Sequence, residues 1–143
     1  MREHGRQFMS YKTTNYIQAV LLQKERKEAG ALEILYSFGG RVLECSTSNF
    51  FIVKNGRLIT PKDDILLGIT RKVTIDLARP SIKIEERPLG IEETFAADEA
   101  FLTSSFKEIV PVVAIDGKKI GGGKVGPITK KLMGSFHRFA KKH

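Results

Sequence analysis

Phe50-Phe51-Ile52-Val53-Lys54-Asn55-Gly56-Arg57-Leu58-Ile59-Thr60-Pro61 is the stretch that decides the fold. Four apolar residues in a row, rich in aromatic and β-branched side chains, form a strand. Asn55-Gly56 is the strongest short-range hairpin signal in the chain, because both residues tolerate positive φ. Residues 57–60 return as the partner strand, and Pro61 ends it. Working outward, residues 32–38 and 41–44 read as a second strand pair around Gly39-Gly40. Residues 82–86 alternate like a half-buried strand, and residues 100–104 and 110–115 are further strands, the last turned by Asp116-Gly117. Helical spacing appears in residues 15–29, stopped by Gly30, and in residues 69–78, opened by Gly68 and stopped by Pro80. A short acidic helix falls around residues 92–95. After a flexible Gly121-Gly122-Gly123 turn, Pro127 begins an amphipathic helix through Leu132, Met133 and Phe136. Strands in hairpins with interleaved helices predict an α/β (α+β) fold, a mixed sheet with helices packed on it.

The 143 residues suit one domain, with no internal repeat, linker or low-complexity segment. Apolar residues at 41% and charged residues at 28% exclude a disordered tail or a disulfide scaffold. No apolar run approaches the ~20 residues of a spanning helix, and residues 1–7 carry no secretory h-region. One cysteine, Cys45, makes no internal disulfide, so a cytoplasmic protein is expected. The net charge of +8 favours anionic partners, but the cations are spread along the chain. Only residues 137–143 form a basic cluster, which reads as the solvated end of a helix and argues against nucleic acid.

Four features carry potential chemistry. Gly68-Ile69-Thr70-Arg71, at a strand-to-helix junction, is either an ordinary helix start or an anion cradle of unpaired amides and the Thr70 hydroxyl. Thr103-Ser104-Ser105 is either an oxyanion-binding strand end or a simple turn. Glu44, ahead of the polar Cys45-Ser46-Thr47-Ser48-Asn49, is either solvent-facing or the partner of a protonated ring nitrogen. Lys12, ahead of the first helix, becomes a Schiff-base nucleophile where the site is dry. No His, Cys or Asp cluster has metal-ligand spacing, so no metal is expected, and His4, His137 and His143 read as surface residues.

In order, these pieces resemble the fold-type IV pyridoxal-phosphate enzymes, which include branched-chain and D-amino-acid aminotransferases and aminodeoxychorismate lyase. The likeness runs through Lys12-Thr-Thr-Asn-Tyr16, Arg41-Val-Leu-Glu44-Cys-Ser-Thr-Ser-Asn49, Leu67-Gly-Ile-Thr-Arg71, Ala97-Asp-Glu-Ala-Phe-Leu-Thr103-Ser-Ser105 and Gly126-Pro-Ile-Thr129. It implies a partly barrel-like sheet and pyridoxal 5'-phosphate as cofactor. It also implies transfer of an amino group between a branched-chain or D-amino acid and a 2-oxo acid. A lyase of the aminodeoxychorismate type is the alternative.

By the same resemblance, Lys12 is the Schiff-base lysine and proton carrier, Glu44 pairs with the pyridine nitrogen, and Tyr16 bonds the phenolic oxygen. Ile69, Thr70 and Ser105 hold the phosphate, while Ser105 and Phe106 border the substrate. Phe106 departs from the small residue that relatives often carry there. The resemblance further implies that residues 1–143 are the larger, C-terminal, cofactor-bearing domain. The family's N-terminal domain is expected to be absent, which leaves either a homodimer or a split chain that needs a partner domain.

Overall fold

Positive φ at both Asn55 and Gly56, +50° and +73°, turns the chain back on itself in the computed structural model. The structure describes residues 1–3 and 22–143. The turn joins β4 (Asn49–Lys54) to β5 (Arg57–Thr60), with Lys54 opposite Arg57. Gly39 and Gly40, at +57° and +77°, make the same kind of turn between β2 (Leu35–Phe38) and β3 (Arg41–Cys45). The remaining strands are β1 (Arg2–Glu3), β6 (Lys83–Glu86), β7 (Leu89–Gly90), β8 (Glu99–Ser104), β9 (Glu108–Val112), β10 (Ala114–Ile115) and β11 (Lys118–Lys119). The helices are α1 (Gln23–Glu28), α2 (Ile69–Ala78), α3 (Ile91–Phe95) and α4 (Pro127–Lys142).

Among the described residues, β1 to β9 form one mixed sheet and β10 pairs with β11 in a separate ribbon. The expected strand over residues 110–115 is therefore two short strands, parted at Val113, and the second belongs to the small ribbon. The first helix is described only from Gln23 onward. β1 with β2 and β5 with β6 run parallel, and the other pairs run antiparallel. The β3–β4 register rests on a single partnership, Glu44 with Asn49. That bridge joins the part of the sheet holding β1, β2, β3 and β7 to the part holding β4, β5, β6, β8 and β9.

The unbroken apolar run of β4 is explained by burial on both faces. Phe51 and Val53 point with Phe101 toward Ile75 and Ala78 of α2 and Leu132 and Phe136 of α4. Phe50 and Ile52 point the other way, into a second cluster with Val42, Leu89, Ala100 and Leu102. Phe51 and Phe101 stack with centroids 4.8 Å apart, and neither has exposed surface. Truncating either ring to alanine removes a packed face and costs about 3–5 kcal/mol. This double-sided packing holds β4 and β8 rigid, and the candidate site lies at their shared end.

Candidate functional site

Glu44 is buried, with 6% of its surface exposed, which excludes the solvent-facing alternative. Its Oε2 accepts the Leu66 N–H at 3.2 Å. A carboxylate taken out of water needs hydrogen bonds or a cationic partner, so its burial in this position points to a specific use. Register places Glu44, Asn49 and Thr103 side by side across β3, β4 and β8. The Thr103 hydroxyl, on the innermost of these positions, is buried without a hydrogen-bond partner.

Asn49 ties this row to α2. Its Nδ2 donates to the Leu66 carbonyl at 2.7 Å, and its Oδ1 accepts the Gly68 N–H at 3.3 Å. Gly68 is the residue before the helix, in extended conformation, and the next amides, those of Ile69, Thr70 and Arg71, have no carbonyl one turn earlier within the helix. Ile69 is 80% exposed while Thr70 is buried, so only the threonine side chain turns inward. Arg71 is buried too, and its Nη2 donates to the Pro61 carbonyl and to Glu86 Oε1, both at 2.9 Å. The guanidinium thereby pins α2 to the residue that follows β5 and to the end of β6.

Ser105 and Phe106 lie in the turn after β8, both exposed, with Phe106 fully so. Ser104 Oγ accepts the Lys107 N–H at 3.1 Å, so the hydroxyl cluster does form a turn, one that starts beside Thr103. Glu33 was not among the expected site residues. It accepts the Ser46 hydroxyl at 3.3 Å and the Thr47 N–H at 3.0 Å, together with the hydroxyls of Thr47 and Ser48. It thereby braces the loop that follows Glu44, and Lys107 Nζ stands 3.9 Å away on the neighbouring turn. Burial above all, then the Glu33 and Glu44 carboxylates, pushes the Cys45 thiol well above its ordinary pKa.

The structure thus brings together Glu44, the start of α2 with Ile69 and Thr70, and the strand end that leads to Ser105 and Phe106. Lys12 and Tyr16 lie outside the described residues. A cavity of ≈ 270 Å³ near Leu22, Arg26, Ala29 and Ile34 includes none of the expected residues. Among the described residues no group of three His, Cys, Asp or Glu side chains is placed to hold a metal, and no helix is long and apolar enough to cross a membrane.

Comparison with known proteins adds a second line. A family model described as amino-transferase class IV matches residues 1–115. A probable branched-chain-amino-acid aminotransferase of Aquifex aeolicus is 45% identical over 122 residues, covering 82% of this chain and 39% of that protein. A D-alanine aminotransferase of Listeria innocua is 39% identical over 128 residues, covering 87% of this chain and 44% of that protein. Among solved structures, the branched-chain amino acid aminotransferase from Thermobaculum terrenum, in its PLP holo-form, superposes with a TM-score of 0.85 at 36% identity, over 92% of this chain and 45% of that one. The chain therefore spans less than half the length of these relatives.

Proposed function

This chain belongs to the class IV aminotransferase family, and from that premise we propose that it is the cofactor-bearing domain of a pyridoxal-phosphate-dependent transaminase. In this reading it moves an amino group between a branched-chain or D-amino acid and a 2-oxo acid in the cytoplasm. A further domain or a second subunit completes the substrate pocket. The exposed apolar side chains of Leu67, Ile69 and Phe106 suit a surface that such a unit covers.

The observation that carries the proposal is the buried Glu44 carboxylate, connected through Leu66 to the amides that open α2. An acidic group out of water and an unpaired helix start fit the two ends of pyridoxal phosphate, a ring nitrogen that takes a proton and a dianionic tail. When bound, that cofactor supplies an electron sink for cleavage at the amino-acid Cα. Glu44 holds the proton on the ring nitrogen, an interaction strengthened by the low dielectric around it. The backbone N–H groups of Ile69 and Thr70, with the Thr70 and Ser105 hydroxyls, hold the phosphate. Tyr16 donates to the phenolic oxygen, Lys12 Nζ provides covalent attachment and carries the proton, and Phe106 borders the substrate.

The test is to add pyridoxal phosphate and record the visible absorbance of the chain and of Lys12→Ala. Borohydride should fix a pyridoxyl mass on the Lys12 peptide of the parent and none in the variant. Equal labelling of both proteins, or labelling spread over surface lysines, would overturn the assignment.

A further inference from the structure

Asn49 spends both ends of its amide on one short segment. A backbone carbonyl only accepts and a backbone N–H only donates, so the bonds to Leu66 and Gly68 fix which way round the amide lies. With Glu44 on the Leu66 N–H, two adjacent strand residues grip residues 66–68 immediately before α2. The grip also explains Gly68. Its φ of −69° suits any residue, yet a Cβ there would stand 2.6 Å from Asn49 Oδ1. Glycine is demanded at position 68 by the asparagine amide and not by the backbone.

We propose that Asn49 is a positioning residue that sets the spacing between the Glu44 carboxylate and the phosphate-binding amides of α2, without itself touching the cofactor. This rests on the transaminase reading given above. A rigid cofactor held at both ends binds well only if its two anchors stand a fixed distance apart, and that distance is set by residues 66–68. Without the amide, Glu44 and the helix start both survive, but the link between them is held at Leu66 N–H alone. The loss then falls on the phosphate end, since the ring-nitrogen partner stays on its own rigid strand.

The experiment compares affinity for pyridoxal phosphate with affinity for pyridoxal, which lacks the phosphate, by absorbance titration of the full chain below its melting temperature. The parent should prefer the phosphorylated form. Asn49→Ala should lose that preference roughly tenfold or more, the loss of a charge-assisted contact, while its pyridoxal affinity holds within about threefold. Gly68→Ala, which displaces the amide from the other side, should show the same selective loss. The double variant should be no worse than Asn49→Ala, because the clash has gone with the amide.

An Asn49→Ala chain that keeps the preference, or weakens both aldehydes equally, overturns the inference and leaves the transaminase reading standing. So do losses that multiply in the double variant. A parent that takes up neither aldehyde overturns the transaminase reading itself, and this inference with it. Should Asn49→Ala fail to fold, Gly68→Ala alone decides, by the same ratio.

Discussion

Glu99 on β8 caps a helix that begins nearly thirty residues later, its Oε2 accepting both the N–H and the hydroxyl of Thr129 at 2.7 Å. Its other oxygen takes the Ile128 N–H at 3.1 Å. The first turn of α4 is thus satisfied from the sheet, and Gly126 must be glycine because a Cβ would meet the carboxylate at 2.0 Å. We expect Glu99→Ala to lose about 2–4 kcal/mol, since buried donors are left unpaired and a charged acceptor is removed. Denaturant unfolding checks this, and a loss under about 1 kcal/mol would show that solvent replaces the cap.

Glu44 both holds the Leu66 amide and, in the proposed function, the ring nitrogen, and two substitutions separate these tasks. Glu44→Gln keeps an oxygen to accept the Leu66 N–H and removes only the charge. It should take up pyridoxal phosphate nearly as well as the parent while the half-reaction with an amino acid slows roughly a hundredfold. Glu44→Ala should take up the cofactor too, with most turnover gone and additional looseness at residues 66–68. Normal turnover in the glutamine variant would show that the carboxylate is only a loop anchor.

What the sequence makes legible is local. Asn55-Gly56 and Gly39-Gly40 announce their hairpins because the turn chemistry is carried by the residues themselves. Pro127 likewise marks the start of α4. The split near Val113 escapes a reading by hydrophobicity, because the residues on both sides are apolar and the break comes where β9 reaches the start of β8, with Val112 opposite Ala100. Among site residues, Glu44 could be singled out as an acid on an apolar strand, yet its burial depends on Leu66, 22 residues away. Asn49 and Glu33 escaped altogether. Their partners lie 13 to 19 residues distant in sequence, and Asn49, at the end of the polar run Ser46-Thr47-Ser48, gives no periodic signal. The one available hint was Glu33 itself, a charge interrupting the apolar run at residues 32–36.

Cys45 should be chemically silent in the folded chain. Burial first, then two nearby carboxylates, raises its pKa, so the thiolate is scarce at neutral pH and reagents have no path to it. A thiol-specific disulfide reagent at pH 8 should label the native chain at a small fraction of the rate seen in denaturant. Full labelling within the same time in both would show that the β3–β4 junction opens freely, which would also undo the fixed geometry assigned to Glu44.

Arg87 links three elements: its Nε donates to Glu85 Oε2 at 2.9 Å and its two outer nitrogens grip Glu93 on α3, while Arg57 donates to Glu85 from β5 at 2.8 Å. Hydrogen bonds from Arg87, and for Glu85 also from Arg57, hold both carboxyls below their ordinary pKa. Such a lowered pKa contributes stability that is complete above the unfolded value, about 4.3 for glutamate, and is lost as pH falls through the folded values. Arg87→Met removes the shared donor and keeps much of the aliphatic stem. Its melting temperature should lie about 2–4 °C below the parent's at pH 7, a small figure because the network is largely solvated. The gap should shrink steadily from about pH 4 downward, as both carboxyls take up protons in parent and variant alike. A gap of constant size from pH 7 to pH 3 would mean that Arg87 acts through its bond to the Pro88 carbonyl, which does not titrate, and that the charge network contributes nothing to holding α3 against the sheet.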